Sequence, residues 1–377
     1  MRNIRILAAV GLLVAASAIA SRPAGGVAPT RWVVGYYVGY QRALMPAAQI
    51  EWSSLTHLVV GPVTPRADGT LDTTFDIDAT HGPAMARDLA RRAKSHHVVP
   101  MLMIGGAGNH DQWLAAATHH LGRLVDSLVS TMRSLGYAGL DLDWEPIDAS
   151  DQPHVRALVD ALRTRLPDAV LTMPVMWVTR TFPQVPSFYG SLANKLDRID
   201  VMTYGMAGAW DGWKTWHSSA LTGAGAATPS AVDLNVRSFE NAGVPAAKLG
   251  VGIGFYGTCW TGGVTRPRQA IGSSRVAADD NVMSWVNIRN RYYQASAFHY
   301  DTTAQAPYLS YPGGHGPQHC SYVSYEDQRS ISAKGRWAKT HGLGALIVWT
   351  VNQGHLRGAA PGHRDPLLAA ARHAFAS

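Results

Sequence analysis

The chain has 377 residues, a formal net charge of +7, 46% hydrophobic residues and 16% charged residues. This hydrophobic content supports a sizeable folded core and excludes an intrinsically disordered chain. Lysines and arginines are scattered singly or in pairs instead of forming runs, so the composition argues against a nucleic-acid-binding protein.

The N-terminus has the parts of a secretory signal peptide. Arg2 and Arg5 precede an apolar run over residues 6–16, and residues 18–20 form a small-x-small cleavage pattern. The apolar run is too short to span a bilayer. We therefore expect a signal peptide over residues 1–20 and a secreted protein, extracellular or periplasmic, that is free of the membrane after cleavage. An uncleaved membrane anchor is the alternative.

Eight apolar segments alternate with amphipathic ones along the rest of the chain. The predicted strands cover residues 33–37, 55–61, 98–104, 140–144, 170–174, 199–204, 249–255 and 345–349. The predicted helices cover residues 85–96, 113–135, 154–165, 231–242, 326–341 and 365–376. Strands that are nearly continuous in apolar residues and separated by helices are typical of a parallel sheet covered by helices. Because no glycine-rich phosphate loop follows the first strand, the pattern favours a closed (β/α)8 TIM barrel over an open doubly wound sheet.

Residues 258–325 interrupt this alternation. The segment is rich in aromatic residues, namely Trp260, Trp285, Tyr292, Tyr293, Phe298 and Tyr300. It predicts a small α+β lobe inserted after the seventh strand, at the end of the barrel where active sites lie. The barrel then comprises residues 31–257 and 326–377, and residues 21–30 form a short leader before it.

The chain has two cysteines, Cys259 and Cys320. In an oxidising compartment a lone pair is more often a disulfide than a metal site or a nucleophile. Two buried free thiols remain the alternative, because the sequence does not give the distance between them.

The histidines show no metal-binding pattern in the sequence. Their adjacent pairs, residues 96–97 and 119–120, project to different sides of a helix or strand, and no H-E-x-x-H spacing occurs. We therefore expect no metal and no cofactor.

Three carboxylates follow one another at every second position: Asp141, Asp143 and Glu145. On a strand, this spacing places all three on one face. Burying three carboxylates inside a barrel costs free energy unless they share protons or bind a positive charge. Mutual repulsion raises at least one pKa, which suits a general acid. A solvated edge strand and a metal site are the alternatives, but Leu140 and Leu142 argue against an exposed edge and no nearby histidine completes a metal set.

Residues 139–145 read Gly-Leu-Asp-Leu-Asp-Trp-Glu and resemble the fourth-strand motif D-G-x-D-x-D-x-E of the family 18 glycoside hydrolases, the chitinases and their relatives. The first Asp of that motif is Ala138 here, and its three catalytic acids are present. The resemblance extends from about Arg31 to Phe375. It includes residues 33–37, 104–106, 202–204, 210–211, 217–221, 243–257, 300–301, 307–308, 330–334 and 342–349.

The resemblance implies a hydrolase of β-1,4-N-acetylglucosamine linkages that retains configuration by using the substrate's own 2-acetamido oxygen. Glu145 is then the acid, Asp143 orients the acetamido group, Asp141 shares a proton with Asp143, and Tyr204 binds the acetamido carbonyl. The implied substrate-binding residues are Trp349 under the sugar ring, Trp144, Tyr36, Gly106, Met202 and Tyr256. For Trp349 and Tyr36, simple core packing is the alternative.

Two residues depart from the family pattern. Gly205 stands where the family has an Asp after the tyrosine, and Met103 replaces a Ser that bonds the inner Asp. Losing one such partner costs about 1–3 kcal/mol, or roughly one to two orders of magnitude in rate. Asp211 or water is a candidate replacement for the missing acid.

The expected partner is chitin or its oligosaccharides, bound by a monomer. Two further functions stay open. One is a chitinase-like lectin that binds without hydrolysis, and the other is an endo-β-N-acetylglucosaminidase that acts on peptidoglycan or N-glycans.

Overall fold

The computed structural model describes residues 31–181 and 184–377, so the predicted signal peptide and leader lie outside the described residues. The strands are β1 (Trp32–Val38), β2 (His57–Pro65), β3 (Leu71–Asp72), β4 (Val99–Gly105), β5 (Gly139–Asp143), β6 (Val170–Val175), β7 (Arg198–Val201), β8 (Leu249–Gly254), β9 (Thr258–Thr261), β10 (Arg275–Ala278), β11 (Phe298–Asp301), β12 (Ala306–His315), β13 (Cys320–Ser324) and β14 (Ala345–Trp349). The α-helices are α1 (His81–Ser95), α2 (His110–His119), α3 (Leu121–Leu135), α4 (Gln152–Arg165), α5 (Phe188–Leu192), α6 (Val232–Asn241), α7 (Trp285–Arg291), α8 (Gln328–Thr340) and α9 (Pro366–Phe375).

Eight parallel strands close into a barrel. Their order is β1-β14-β8-β7-β6-β5-β4-β2, and β1 pairs with β2 to complete the ring. The short β3 extends β2 as an antiparallel neighbour. The predicted TIM barrel is therefore confirmed. Within the described residues, none of the helices has the length and apolar character needed to cross a membrane.

Each barrel strand serves two cores, because successive side chains point to opposite faces. On β1, Val33 and Tyr37 pack in the large core between the barrel and the helices. Val34 and Tyr36 belong to a separate cluster inside the barrel. Side chains that point into the barrel are the ones that can reach a site at its mouth.

The prediction of one long helix over residues 113–135 was wrong. The chain forms α2 and α3 instead, and between them His120 has φ −137° and ψ 29°, outside the helical region. The apolar stripe explains the break. α2 buries Trp113 and Ala116, and α3 resumes burial at Leu124, but the polar residues 119–120 interrupt the stripe between them.

The segment between β8 and β14 forms the predicted insertion. Its five strands pair antiparallel in the order β10-β9-β13-β12-β11, and α7 lies within the same segment. Cys259 of β9 and Cys320 of β13 are joined by a disulfide between neighbouring strands of this sheet. The lobe thus follows the carboxyl end of barrel strand β8 and leads through α8 into β14.

Candidate active site

Strand β5 directs two of the three predicted carboxylates into the barrel. Leu140 and Leu142 pack in the outer core with the helices. The alternating Asp141 and Asp143 therefore face the barrel interior, where both are buried. Glu145 follows the end of β5 at the rim and is half-buried.

Asp141 is the innermost of the three and is held by two hydroxyl groups. The Tyr36 hydroxyl donates to its Oδ2 at 2.8 Å, and the Thr172 hydroxyl donates to its Oδ1. Burial raises the pKa of Asp141 to about 6, although both hydrogen bonds oppose the rise. Its orientation is therefore fixed by β1 and β6 while its proton affinity stays high.

Asp143 and Glu145 form a pair of carboxyl groups that resists double ionisation. Burial, followed by the charges of Glu145 and Asp141, raises the pKa of Asp143 well above its ordinary value. Burial also raises the pKa of Glu145, and its hydrogen bond with Asp143 opposes that rise. Each of the two groups therefore binds a proton more readily than an isolated carboxyl group does. Oδ1 of Asp143 is buried without a hydrogen-bond partner among the described residues, so it can accept one from a ligand.

These carboxylates open into one pocket at the carboxyl ends of the barrel strands. Its lining comprises Tyr36, Met103, Gly106, Ala107, Asp143, Glu145, Pro174, Met202, Tyr204, Asp280 and Trp349. The pocket thus brings together most of the residues that the sequence singled out. Asp141 lies beneath it, bonded to Tyr36.

A glycine is required where the β4–α2 loop passes the carboxylates. Gly106 has φ +110°, a conformation that residues with a side chain rarely adopt. A Cβ there would lie 3.0 Å from Cε of Met103 and 3.9 Å from Oδ2 of Asp143. The loop backbone at Gly106 therefore passes close to the pocket, because this residue has no side chain.

Tyr256 flanks the pocket from the end of β8. Its ring lies 6.0 Å from that of Tyr204 between centroids, in an edge-on arrangement. A Cβ at Gly205 would lie 3.5 Å from the Tyr256 hydroxyl, and Gly205 itself has φ +64°. The Tyr256 hydroxyl therefore borders the space into which a side chain at position 205 would project.

Trp144 is not part of the pocket. It is buried and stacks on Trp113, with ring centroids 5.3 Å apart and an interplanar angle of 7°. Its position between Asp143 and Glu145 on the chain explains this, because alternation turns it toward the helices. Its place is in the outer core, where it supports the strand that carries the acids.

Met103 cannot donate a hydrogen bond to the inner aspartate, Asp141. The structure supplies another donor. Thr172 on β6 bonds the same carboxylate that the absent Ser would have bonded. Thr172 could not be identified from the sequence, because its partner Asp141 lies 31 positions away and nothing local marks the pair. Asp211, the candidate replacement for the acid missing at Gly205, is exposed and does not line the pocket.

A further carboxylate reaches the pocket from the inserted lobe. Asp280 precedes α7 and accepts a hydrogen bond at 2.7 Å from Nε2 of Gln353. Burial raises the pKa of Asp280, while hydrogen bonds from Gln353 and from the Trp349 side chain oppose the rise. The sequence holds only an unremarkable Asp-Asp pair here, so no local pattern predicts that the lobe folds back to place Asp280 beside Trp349.

Asp200 on β7 is one more carboxyl group near the site. It is buried, and its Oδ1 has no hydrogen-bond partner in the part of the chain that the structure describes. Burial and the charge of Asp141 raise the pKa of Asp200 to about 8. The group is therefore neutral at pH 7 and adds no negative charge beneath the acids.

An aromatic patch, exposed at one tryptophan and partly buried at the other two, lies on the loops that follow β6 and β7. It consists of Trp177, Trp210 and Trp213, with ring centroids 4.7 Å apart for Trp210 and Trp213 and 5.9 Å apart for Trp177 and Trp210. Trp210 is 45% exposed. Exposed indole faces at the mouth of a barrel suit the apolar faces of sugar rings.

Comparison with known families decides the membership of this chain. The sequence profile of glycosyl hydrolases family 18 matches residues 32–354, which include every residue that lines the pocket. The chain belongs to glycosyl hydrolase family 18. The resemblance found in the fourth strand is thereby confirmed over residues 32–354.

Family 18 relatives match along most of their length. The chain is 28% identical to Chitinase 1 of Aphanocladium album in an alignment that covers 85% of this chain and 79% of that protein. It is 27% identical to the class V chitinase of Arabidopsis thaliana in an alignment that covers 81% of this chain and 82% of that protein.

Solved family 18 structures share the fold. The group IV chitinase of Ostrinia furnacalis in complex with allosamidin superposes with a TM-score of 0.77 at 22% identity, covering 91% of this chain and 98% of that one. A mutant class V chitinase from Nicotiana tobaccum in complex with NAG4 gives a TM-score of 0.74 at 22% identity, covering 92% and 99%.

Proposed function

We propose that this family 18 protein hydrolyses β-1,4-N-acetylglucosamine linkages of chitin with retention of configuration, by substrate-assisted catalysis. The observation that carries the proposal is the pair formed by Asp143 and Glu145, which resists double ionisation and opens into a pocket above the fixed Asp141. A carboxyl group that keeps its proton near neutral pH is what a general acid requires.

In the first step Glu145 donates its proton to the glycosidic oxygen, and the bond from that oxygen to C1 breaks. The acetamido carbonyl oxygen of the same sugar bonds to C1 and gives a cyclic oxazolinium cation. The unpartnered Oδ1 of Asp143 accepts the acetamido N–H and its carboxylate charge stabilises the cation. Water then attacks C1 and gives its proton to Glu145, while the bond from C1 to the acetamido oxygen breaks and restores the acetamido group. The two inversions at C1 restore the original configuration.

The other pocket residues position the reacting sugar. Trp349 offers an indole face to the pyranose ring, and its centroid lies 5.6 Å from that of Tyr36. The Tyr204 hydroxyl is available to donate to the acetamido carbonyl before that oxygen attacks. Asp280, held by Gln353, adds an acceptor for a sugar hydroxyl beside Trp349.

The aromatic patch supports a polymeric substrate. Trp177, Trp210 and Trp213 give stacking faces outside the pocket that holds the acids. A single N-acetylglucosamine linkage would not need them, whereas a long chain gains binding energy from each face. This favours chitin over the short N-acetylglucosamine segments of N-glycans or the branched strands of peptidoglycan.

The second candidate function is chitin binding without hydrolysis. Gly205 favours it, because this position carries no side chain and Asp211 does not take its place in the pocket. Binding needs the aromatic surfaces but not a tuned acid.

We also propose that the protein is secreted. The disulfide between Cys259 and Cys320 supports this, since such bonds persist in oxidising compartments. Residues 1–20 supply the matching signal-peptide pattern.

Hydrolysis of a chromogenic N-acetylchitobioside by the wild type and by Glu145→Gln tests the enzyme proposal. The proposal expects turnover by the wild type and a loss of about 10²–10⁴-fold in the variant, because Gln cannot donate the proton. Binding of chito-oligosaccharides by both proteins is the control for a folded pocket. Binding without turnover in either protein would transfer the chain to the non-hydrolytic class.

A further inference from the structure

A group of side chains of the types that bind metals lies on the loop that carries Glu145 and at the start of α2. This loop runs from Glu145 to Asp151 and connects β5 with α4. His110, Asp148 and Asp151, here called the His110 cluster, each bring one nitrogen or carboxylate oxygen within 4.8 Å of the others. His110 begins α2 and so belongs to the neighbouring β4–α2 loop, which carries Gly106 into the pocket.

Asp151 is the centre of the cluster. It is fully buried, and its Oδ2 lies 3.0 Å from Nε2 of His110 and accepts the backbone N–H of Asp148 at 2.7 Å. The 3.0 Å contact is a hydrogen bond between the imidazole and the carboxylate. Adjacent donor atoms on a tetrahedral metal with bonds of about 2.1 Å lie roughly 3.4 Å apart, so an ion would part these two atoms by only a few tenths of an ångström.

The Asp151 carboxylate points into the cluster instead of serving its own helix. Asp151 is the N-cap of α4, yet its side chain accepts no hydrogen bond from the first turn of that helix. Its Oδ1 is buried and has no hydrogen-bond partner among residues 31–181 and 184–377. A fully buried carboxylate oxygen without a hydrogen-bond partner lowers the stability of the fold unless a cation binds it.

The charges around His110 are also unbalanced. Asp111 lies 3.1 Å from Nδ1 of His110, and the side chain of Asp148 is exposed to solvent. Within the described chain, the ion pairs of Asp111 and Asp151 are made with His110 alone. Three carboxylates thus surround one imidazole, and a divalent cation would neutralise the excess.

We propose that the His110 cluster is a zinc site, bound by Nε2 of His110 and carboxylate oxygens of Asp148 and Asp151. One imidazole with two carboxylates suits Zn²⁺, whereas Ca²⁺ and Mg²⁺ prefer oxygen ligands throughout. Three protein ligands with an exposed side leave the fourth position to water. Asp111, beside Nδ1 of His110, orients the ring as outer partners of metal-binding histidines do.

The bound ion joins two loops that frame the pocket. The β4–α2 loop carries Gly106, and the β5–α4 loop carries Glu145, so zinc at the His110 cluster fixes one loop against the other. The site lies outside the pocket and takes no part in proton transfer. The inference therefore does not depend on the proposed hydrolysis, and its test reads metal binding directly.

Titration of the chelator-treated protein with ZnCl₂, followed by calorimetry, tests the site. We expect one equivalent bound by the wild type and an affinity about tenfold or more weaker in His110→Gln and in Asp148→Asn. Asp148→Asn changes an exposed side chain, so it keeps the test valid where His110→Gln fails to fold. Co²⁺ should give a visible absorption band that both variants lose, and CaCl₂ should give no such binding.

His81→Gln is the matched control. His81 is an exposed helix-start histidine that pairs with Asp78 at 2.8 Å but has no third ligand in the described structure. This variant should bind zinc like the wild type. Equal zinc uptake by the wild type and both cluster variants, or no uptake by the wild type, would overturn the proposal and leave the cluster as an ion pair.

Discussion

The two walls of the pocket carry carboxylates in different surroundings. On the acid wall, Asp143 and Glu145 lie above Asp141, and burial together with the charge of Glu145 raises the pKa of both aspartates. On the lobe wall, Asp280 is held by a neutral amide and a neutral indole. Crowded acids exchange protons, whereas an isolated acid with two donors is fixed in place. The barrel wall therefore suits chemistry, and the lobe wall suits positioning of the sugar.

Replacing the middle acid should give the largest effect. Asp143→Asn keeps the size of the side chain but removes the charge proposed to stabilise the oxazolinium cation. We expect kcat on a chromogenic N-acetylchitobioside to fall about 10²–10³-fold, the usual cost of one such electrostatic contact. An unchanged kcat would place the chemistry elsewhere than the acid wall.

The support of the inner acid should matter less. Thr172→Val removes the hydroxyl that donates to Asp141 and leaves a buried carboxylate oxygen without its partner. The cost of about 1–3 kcal/mol corresponds to a drop in kcat of roughly tenfold or more. Thr172→Ser restores the donor and should recover most of the rate, which separates the hydrogen bond from packing. Equal losses in the two variants would contradict this role.

The lobe wall should affect binding more than chemistry. Asp280→Asn weakens an acceptor for a sugar hydroxyl, so we expect KM to rise several-fold, up to about tenfold, with little change in kcat. Asp279→Asn is the matched control, because that neighbouring side chain is exposed and does not line the pocket. A fall in kcat as large as that of Asp143→Asn would remove the distinction between the walls.

The last effect concerns the pH dependence of stability and not the reaction rate. An unfolded aspartate ionises near pH 3.9, whereas Asp200 keeps its proton to about pH 8 when folded. The folded state therefore binds more protons between these values, and its stability falls as pH rises through that window, by at most about 1.4 kcal/mol per pH unit. Asp200→Asn stays neutral throughout.

Denaturant titrations from pH 5 to pH 9 measure this difference. The free energy of unfolding of the wild type should fall more steeply with pH than that of Asp200→Asn. Asp126→Asn, at an exposed aspartate that pairs with Arg165, controls for the loss of one carboxyl group. Parallel curves for the wild type and Asp200→Asn would show that Asp200 is not the buried acid described above.

Local patterns predicted the acid wall but not the lobe wall. Asp141 and Asp143 alternate with leucines on one strand, so their common face follows from the geometry of β structure. Asp280 and Thr172 reach the site through contacts between segments that are distant in sequence. The residues next to them in sequence therefore do not predict their place in the site. Trp144 shows the converse, because the same alternation that gathers the acids turns this tryptophan into the outer core.

The helices show a similar limit. The barrel strands were predictable because they are short and mostly apolar. The break between α2 and α3 was not, because the backbone at His120 depends on how each helix packs its own apolar face. The type of each element thus follows from the periodicity of its apolar residues. The boundaries between neighbouring elements depend on tertiary packing.

The central claim is that the substrate's acetamido group takes the place of an enzyme nucleophile beside Asp143. The most direct test compares hydrolysis of a chromogenic N-acetylchitobioside with that of the matching cellobioside, which has a hydroxyl in place of the acetamido group. The account predicts turnover of the first substrate and none measurable of the second. Cleavage of both at similar rates would contradict it and require a nucleophile from the protein.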